Sequence, residues 1–152
     1  MFLFECEAVF EAELDVVWKV WTDVAGWPEW DVSKQIAQLD GPFEPGAHGW
    51  AKQRGNLGGP FTITAVDPGR RWVSVCPVPL GTVTFEHRLE PAGAGCVRVV
   101  KRADVTGGSG PLLRLLAPRM RRDTATSLAA MQQRVRHHRV TGVSPAPEPG
   151  AP

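Results

Sequence analysis

The sequence carries almost no net charge and has few cysteines. Its 17 lysines and arginines nearly balance 16 acidic residues, so the formal net charge of +1 gives no field that would gather nucleic acid or an anionic membrane surface. Cys6, Cys76 and Cys96 are odd in number and contain no C-x-x-C pair, which does not suit a disulfide framework. We therefore expect reduced, packed thiols and a cytoplasmic protein.

The sequence also lacks segments that would take the chain into a membrane. Three glutamates, Glu5, Glu7 and Glu11, interrupt the apolar residues between Phe2 and Phe10, so this segment does not have the apolar core of a secretory leader. No apolar run approaches the roughly 20 residues that a membrane-spanning helix requires. These absences predict no stable membrane insertion.

Signatures of metal, nucleotide and hydrolase chemistry are absent as well. None of the four histidines belongs to an H-E-x-x-H pattern or has the spacing of a zinc ligand. The glycine-rich segments 55–59 and 107–110 contain neither a phosphate-loop lysine nor a nucleophile elbow, and are more simply turns. The sequence therefore predicts no metal and no cofactor.

Hydrophobic periodicity predicts an opening strand, two short helices and a meander. Apolar and acidic residues alternate from Phe2 to Phe10, which is typical of a half-buried strand. Helical spacing follows in Leu14–Val24, and Pro28 in the segment 26–31 fits the first turn of a second short helix. Turn sequences rich in Gly, Pro and Asp then separate six strand-like segments, 32–39, 47–54, 60–66, 70–78, 82–90 and 96–106.

A long amphipathic helix closes the pattern. It opens at Gly110 and ends near Arg139, and Pro118 inside it predicts a kink or a restart. Its apolar positions recur at helical intervals: Leu113, Leu116, Met120, Leu128, Met131 and Val135. The Pro-rich segment 140–152 has nothing to bury and predicts a disordered tail. A chain of this length suits one domain, over residues 1–139.

Four local sequence segments are more specific evidence of a family than the order of helices and strands. They are VWKVWTD at 17–23, WPEWD at 27–31, FTITAVDPGR at 61–70 and FEHRLE at 85–90. Together with that order, they resemble the START-related SRPBCC superfamily, in its polyketide cyclase/dehydrase branch, over residues 2–139. The resemblance implies an α+β helix-grip fold: a seven-stranded curved antiparallel sheet, two short helices and one long C-terminal helix that encloses a cavity.

Side-chain parity predicts which residues face that cavity. A tight turn at 67–70 would pair Ala65 with Trp72, Ile63 with Ser74 and Phe61 with Cys76, all on the inward face. In the next hairpin the inward residues would be Val83, Phe85, His87, Leu89, Val97, Val99, Lys101, Ala103 and Val105. Opposite charges mix on the other face, at Glu86, Arg88, Arg98, Arg102 and Asp104, as on a solvated surface.

Two polar side chains, His87 and Lys101, thereby fall among apolar neighbours. One hypothesis is that they hold a carbonyl, phenolate or carboxylate of a ligand and that His87 moves a proton near neutral pH. The alternative is that His87 bonds to a core carbonyl or water, and that Lys101 extends to solvent past a strand end. The apolar residues predicted to contact the ligand are Phe61, Ile63, Trp72, Phe85, Val99, Leu113, Leu116 and Met120.

One further polar set has no fixed parity. Trp50, Lys52 and Arg54 share a face of their strand, and glycines beside them allow bulges. A solvated outer face explains them better than a cationic rim around an acidic ligand.

Three functions remain open. The leading one is the binding or carriage of a small hydrophobic molecule, such as a lipid, a polyketide or an aromatic metabolite. The second is a cyclase/aromatase-type enzyme in which His87, helped by Lys101, acts as acid or base. The third is a helper module that binds a protein through the arginine-rich last helix. Nucleic-acid binding is not predicted, and the chain would be a monomer or a homodimer.

Overall fold

Seven antiparallel strands form one sheet in the computed structural model, which describes residues 1–55 and 57–141 and the side chains as far as residue 138. The strands are β1 Phe2–Glu11, β2 Lys34–Asp40, β3 His48–Gln53, β4 Gly59–Asp67, β5 Arg71–Val78, β6 Gly81–Pro91 and β7 Cys96–Gly107. Their order across the sheet is β1-β7-β6-β5-β4-β3-β2, so β2 to β7 form the predicted meander and β1 pairs with its last strand. This confirms the α+β helix-grip fold.

The helices cover one face of this sheet. They are α1 Leu14–Thr22, α2 Trp27–Trp30 and α3 Gly110–Thr141, with a 3₁₀ turn at Val24–Gly26. Pro28 lies in the first turn of α2, as predicted, where its missing N–H costs no helical hydrogen bond. The Trp27 indole donates a 2.9 Å hydrogen bond to the Trp21 carbonyl and so ties α2 to α1. Among the described helices, none is long and apolar enough to cross a bilayer.

The long helix α3 runs through Pro118 without interruption, so the expected restart does not occur. Pro118 is exposed, which lets water satisfy the carbonyl that its ring leaves unbonded. The helix also reaches Thr141, two residues past the predicted end, so the boundary expected at 139/140 falls inside it. The rest of the predicted tail, 142–152, lies outside the described residues.

The buried stripe of α3 differs at one position from the prediction. Ala117 is buried, whereas Leu116 is 42% exposed. The cause is the helical period: starting from Leu113, steps of four and three residues reach Ala117 and Met120 and pass over Leu116. Leu116 was predicted because it is the larger apolar side chain, but Ala117 lies at the better position on the helix.

A β-bulge changes the predicted pairing of β4 with β5. Ile63 lies opposite Ser74, as predicted. Between Ile63 and Ala65 the register shifts by one residue, so Ala65 pairs with Val73 and the predicted Ala65–Trp72 pair is wrong. An extra residue in one strand is how such sheets increase their local twist.

The hairpin of β6 and β7 has the predicted parity. His87 lies directly opposite Lys101, and Phe85 lies opposite Ala103. Most of the inward side chains of this hairpin are buried: Val83, His87, Leu89, Val97, Val99, Ala103 and Val105. The outer face carries ion pairs between Arg71 and Glu86, Arg88 and Glu90, Arg98 and Glu90, and Arg102 and Asp104.

The third strand turns Trp50 and Lys52 outward. Gly49 is buried on the inward face beneath the Phe61 ring, and Trp50, one residue later, lies against Gly58. Because side chains alternate along a strand, Lys52 shares the outer face with Trp50. Trp50 and Lys52 thus lie on the outer face, as the solvated-face interpretation expects, and Arg54 follows the end of β3 and is exposed.

We expect Gly49→Ala to lower the free energy of unfolding by about 1–3 kcal/mol, the usual cost of overpacking a core. A methyl group there would overlap the Phe61 ring, which is buried and stacked on Trp27 and so has little room to move. Gly59→Ala is the matched control, because an added Cβ meets nothing within 4 Å and neither glycine has a positive φ. Urea unfolding of both variants tests this, and equal stabilities would contradict it.

Candidate functional site

A cavity of about 490 Å³ lies between the inward face of the sheet, the two short helices and α3. This volume is in the range of sites for small organic molecules. Much of its wall is aromatic, formed by Phe4, Trp21, Trp27, Trp30, Phe61, Trp72 and Phe85. Its polar residues are Asp31, Ser33, Lys34, Gln53, Ser74, Cys76, His87, Lys101, Asp123, Thr124 and Ser127.

The aromatic wall is organised around Trp72. The His87 imidazole stacks on the Trp72 ring, with centroids 3.6 Å apart and planes within 2°. Trp27 stacks on Trp72 at 5.9 Å and on Phe61 at 5.7 Å. Trp21 presents an edge to both members of the central pair. Rings packed in this way cover one another's faces and give the cavity a rigid aromatic wall.

His87 is held as a neutral imidazole. Only 3% of it is exposed, and desolvation, with a further contribution from the nearby Lys101 cation, lowers its pKa well below the usual value of 6.5. A hydrogen bond to the backbone of Trp72 opposes this shift without reversing it. Within the described residues, Nδ1 has no hydrogen-bond partner. The direction of the pKa shift argues against proton exchange by His87 near neutral pH.

Lys101 lies beside His87 in the middle of β7. It is the sixth of twelve residues in this strand, so extension past a strand end is not its environment. Its Nζ is 5.0 Å from the centroid of the Phe85 ring, and the part of it that solvent can reach faces the cavity. Desolvation and the charge of Lys34 lower the pKa of Lys101 to about 8, against an opposing contribution from Asp31. Among the described residues, Lys101 forms no ion pair.

Asp31 is a site residue that the sequence analysis missed. Only 6% exposed, its Oδ1 accepts hydrogen bonds from the Ser33 N–H at 3.0 Å, from Ser33 Oγ at 2.6 Å and from Ser127 Oγ at 2.8 Å. Burial acts to raise the pKa of Asp31, but Lys101 and these hydrogen bonds outweigh it and lower the pKa. The D-x-S spacing after a helix end was the available signal, because it favours an Asx turn.

The structure brings most of the predicted site residues together. Phe61, Trp72, Phe85, His87, Lys101, Leu113 and Met120 line the cavity. Ile63 and Val99 do not: both are fully buried within the apolar core. Parity placed them on the inward face correctly, but other side chains cover that part of the face. Leu116 is outside the cavity wall because its side of α3 is exposed.

Elsewhere, the described residues form sites with fewer reactive side chains. A second pocket, of about 390 Å³, lies between the start of β1 and α3 and is lined by Phe2, Leu3, Arg114, Ala117, Pro118 and Arg121. It contains no acidic, hydroxyl or thiol side chain. Among the described residues, no three His, Cys, Asp or Glu side chains lie close enough to hold a metal ion.

Comparison with known sequences identifies one family. The profile of the family described as "Polyketide cyclase / dehydrase and lipid transport" matches residues 1–136. No curated protein sequence matches the chain.

Solved structures show the same fold at low sequence identity. The Zhui aromatase/cyclase from Streptomyces sp. R1128 is 14% identical, with a TM-score of 0.75 over 93% of this chain and 98% of that one. Ara h 8.0201 is 17% identical, with a TM-score of 0.71 over 88% and 97%. A conserved protein from Geobacillus kaustophilus is 13% identical, with a TM-score of 0.66 over 88% and 95%. These similarities concern the fold alone.

We expect Lys101→Met to raise the free energy of unfolding at pH 7 by about 1–3 kcal/mol, because the folded state holds this proton less tightly than the unfolded chain does. Wild-type stability should also rise from pH 8 towards the ordinary lysine pKa of 10.5, since unfolding then takes up a proton, and the variant should lose this rise. Urea unfolding at several pH values measures both effects. Lys52→Met, on the outer face, is the control, and equal behaviour of the two variants would contradict the assignment.

Acid should destabilise the folded protein through His87. The pKa of His87 is lowered in the folded protein. As the pH falls below 6.5, this histidine therefore becomes protonated in the unfolded chain while it stays neutral in the folded state. Wild-type stability should fall by up to about 1.4 kcal/mol per pH unit from this group, and His87→Phe should flatten that slope. Thermal unfolding between pH 7 and pH 5, where Asp31 stays ionised, tests it. His48→Gln, at an exposed histidine, is the control, and equal slopes for the two variants would contradict the assignment.

Proposed function

Since this chain belongs to the polyketide cyclase/dehydrase and lipid transport family, we propose that it binds and carries a small, mostly apolar molecule in its internal cavity. The observation that carries the proposal is the cavity of about 490 Å³ with its wall of stacked aromatic rings. A core built only for stability would fill such a space, because interior voids are destabilising.

The size and surface of the cavity support binding of useful strength. Burying roughly 300 Å² of apolar ligand surface contributes about 7 kcal/mol before the cost of immobilising the ligand is subtracted. Micromolar affinity corresponds to about 8 kcal/mol, so apolar contact alone falls somewhat short. Polar contacts are needed for the remainder, and the cavity wall has the groups to make them.

Those polar groups favour a ligand with one polar end. Within the described residues, Trp72 Nε1 and His87 Nδ1 are buried without a hydrogen-bond partner, and Lys101 has no ion pair. Those two nitrogens are covered by protein atoms, whereas Lys101 lines the cavity. Lys101 can donate, so the matching group on the ligand is a carbonyl, phenolate or carboxylate oxygen.

An aromatase/cyclase-type enzyme is the second candidate. It is favoured by the adjacent His87 and Lys101 on a cavity wall and by the fold it shares with the Zhui aromatase/cyclase. In such an enzyme Lys101, and not His87, would be the acid, because a lysine with a pKa of about 8 can donate a proton near neutral pH. Neutral His87 would orient the substrate oxygen. Lys101→Met would then abolish turnover of an added polyketide chain, whereas in a carrier it would change only affinity.

The Gly59→Trp variant tests whether ligands bind in the cavity, because its indole would occupy that space. Gly59 lies on the cavity wall, on the inward face with Phe61, and an added side chain there meets open space. We expect the indole to reduce the affinity for the neutral fluorescent probe N-phenylnaphthylamine at least about tenfold, with Gly59→Ala within about twofold of wild type. Equal binding by wild type and Gly59→Trp would overturn the proposal.

The same pair of variants can identify the natural ligand. Each protein is incubated with a cell extract, isolated again and examined by native mass spectrometry. A molecule retained by wild type and Gly59→Ala, but not by Gly59→Trp, is the cavity ligand. Recovery of that molecule unchanged supports a carrier, and recovery of a dehydrated or cyclised form supports the enzyme.

A further inference from the structure

We propose that Lys101 Nζ forms a reversible imine with the carbonyl carbon of an apolar aldehyde or ketone held in the cavity, an inference that rests on the cavity being a ligand site. It assigns to Lys101 a covalent role, distinct from charge pairing or proton transfer, and it names the class of ligand.

The position of Lys101 leaves its amine available to a ligand. Its neighbours across the sheet are Cys6 on β1 and His87 on β6, and neither is an anion that would anchor the ammonium group. Nζ lies over the face of Phe85, a weak partner that a ligand can replace. In the described part of the chain no carboxylate comes within ion-pair distance of it. A lysine placed for structure alone would be paired or would extend to solvent.

The surrounding charges favour the neutral, nucleophilic amine. The charged or titratable groups that face Lys101, or share the cavity with it, are Cys6 on β1, Asp31 after α2, Lys34 on β2, Cys76 on β5, His87 on β6 and Asp123 on α3. Desolvation and the second lysine lower the pKa of Lys101 to about 8. Roughly a quarter of the amine is then neutral at pH 7.5, against about 0.1% for an ordinary lysine. An apolar site next to another cation is a known way to activate a lysine for imine formation.

The reaction balances without an oxidant, a reductant or a metal. The Nζ lone pair forms a bond to the carbonyl carbon, and the π electrons of the C=O bond move to oxygen, which takes a proton. The resulting carbinolamine loses its hydroxyl group, after a second protonation, as water, and nitrogen forms the C=N bond and gives up its remaining protons to solvent. One amine and one carbonyl thus give one imine and one water. Asp31, held ionised nearby, would stabilise the iminium ion that exists before the last proton leaves nitrogen.

Reductive trapping tests the inference on the full-length protein. Naphthaldehyde and sodium cyanoborohydride are added at pH 7.5, so that any imine is reduced to a stable secondary amine, and peptide mapping locates the adduct. The chain has four lysines, at 19, 34, 52 and 101, plus the N-terminus, so the sites are few. We expect Lys101 to be modified at least about tenfold faster than Lys52, which is on the outer face.

Matched variants exclude the simpler explanations. Lys101→Met removes the amine, and Lys101→Arg keeps a positive charge that cannot form an imine, so both should lose the adduct. Lys52→Met should keep it, and Gly59→Trp should slow its formation. Retention of the fast adduct in Lys101→Arg, or its location at Met1, would overturn the proposal.

A parallel displacement assay separates this inference from the proposed function. If naphthaldehyde displaces N-phenylnaphthylamine from the wild type but Lys101 is modified no faster than Lys52, the imine is wrong and the cavity remains a ligand site. If neither compound binds in the cavity, both proposals fail. Displacement together with fast, Lys101-specific trapping supports both.

Discussion

The parallel contact between the Trp72 indole and the His87 imidazole is the interaction on which the rest of the cavity depends. The two residues are direct cross-strand partners on β5 and β6, and their rings lie 3.6 Å apart. This contact removes one face of the imidazole from water and helps to keep it uncharged. If His87 were a cation, it would repel Lys101, its partner on β7. Because the stack keeps His87 neutral, Lys101 does not face a second buried positive charge on the neighbouring strand.

The same stack determines the shape of the space above it. Trp27 lies against Trp72, Phe61 lies against Trp27, and the Phe61 ring covers Gly49, where no side chain intervenes. Asp31 follows this layer and joins it to α3 through Ser127. A rigid aromatic wall therefore faces a helix fixed by polar contacts. The space between them is preserved because rigid rings cannot collapse into it as flexible aliphatic chains would.

Much of this arrangement could be predicted from the sequence, and the failures have clear physical causes. Turn residues fixed the strands to within two residues, and alternation identified the inward face that holds His87 and Lys101. Alternation could not reveal the bulge after Ile63, because an extra residue depends on sheet twist. It also could not tell which inward side chains border the cavity and which, like Val99, are covered by others. Asp31 was missed because its role comes from a partner 96 residues away.

The distribution of aromatic residues has an optical consequence. The chain has six tryptophans and no tyrosine, and four of the indoles, at positions 21, 27, 30 and 72, border the cavity. Ultraviolet emission from this protein therefore originates largely in the walls of its candidate site. A bound chromophore whose absorption overlaps this emission would quench it by resonance energy transfer. The protein thus contains its own spectroscopic reporter of occupancy, with no label attached.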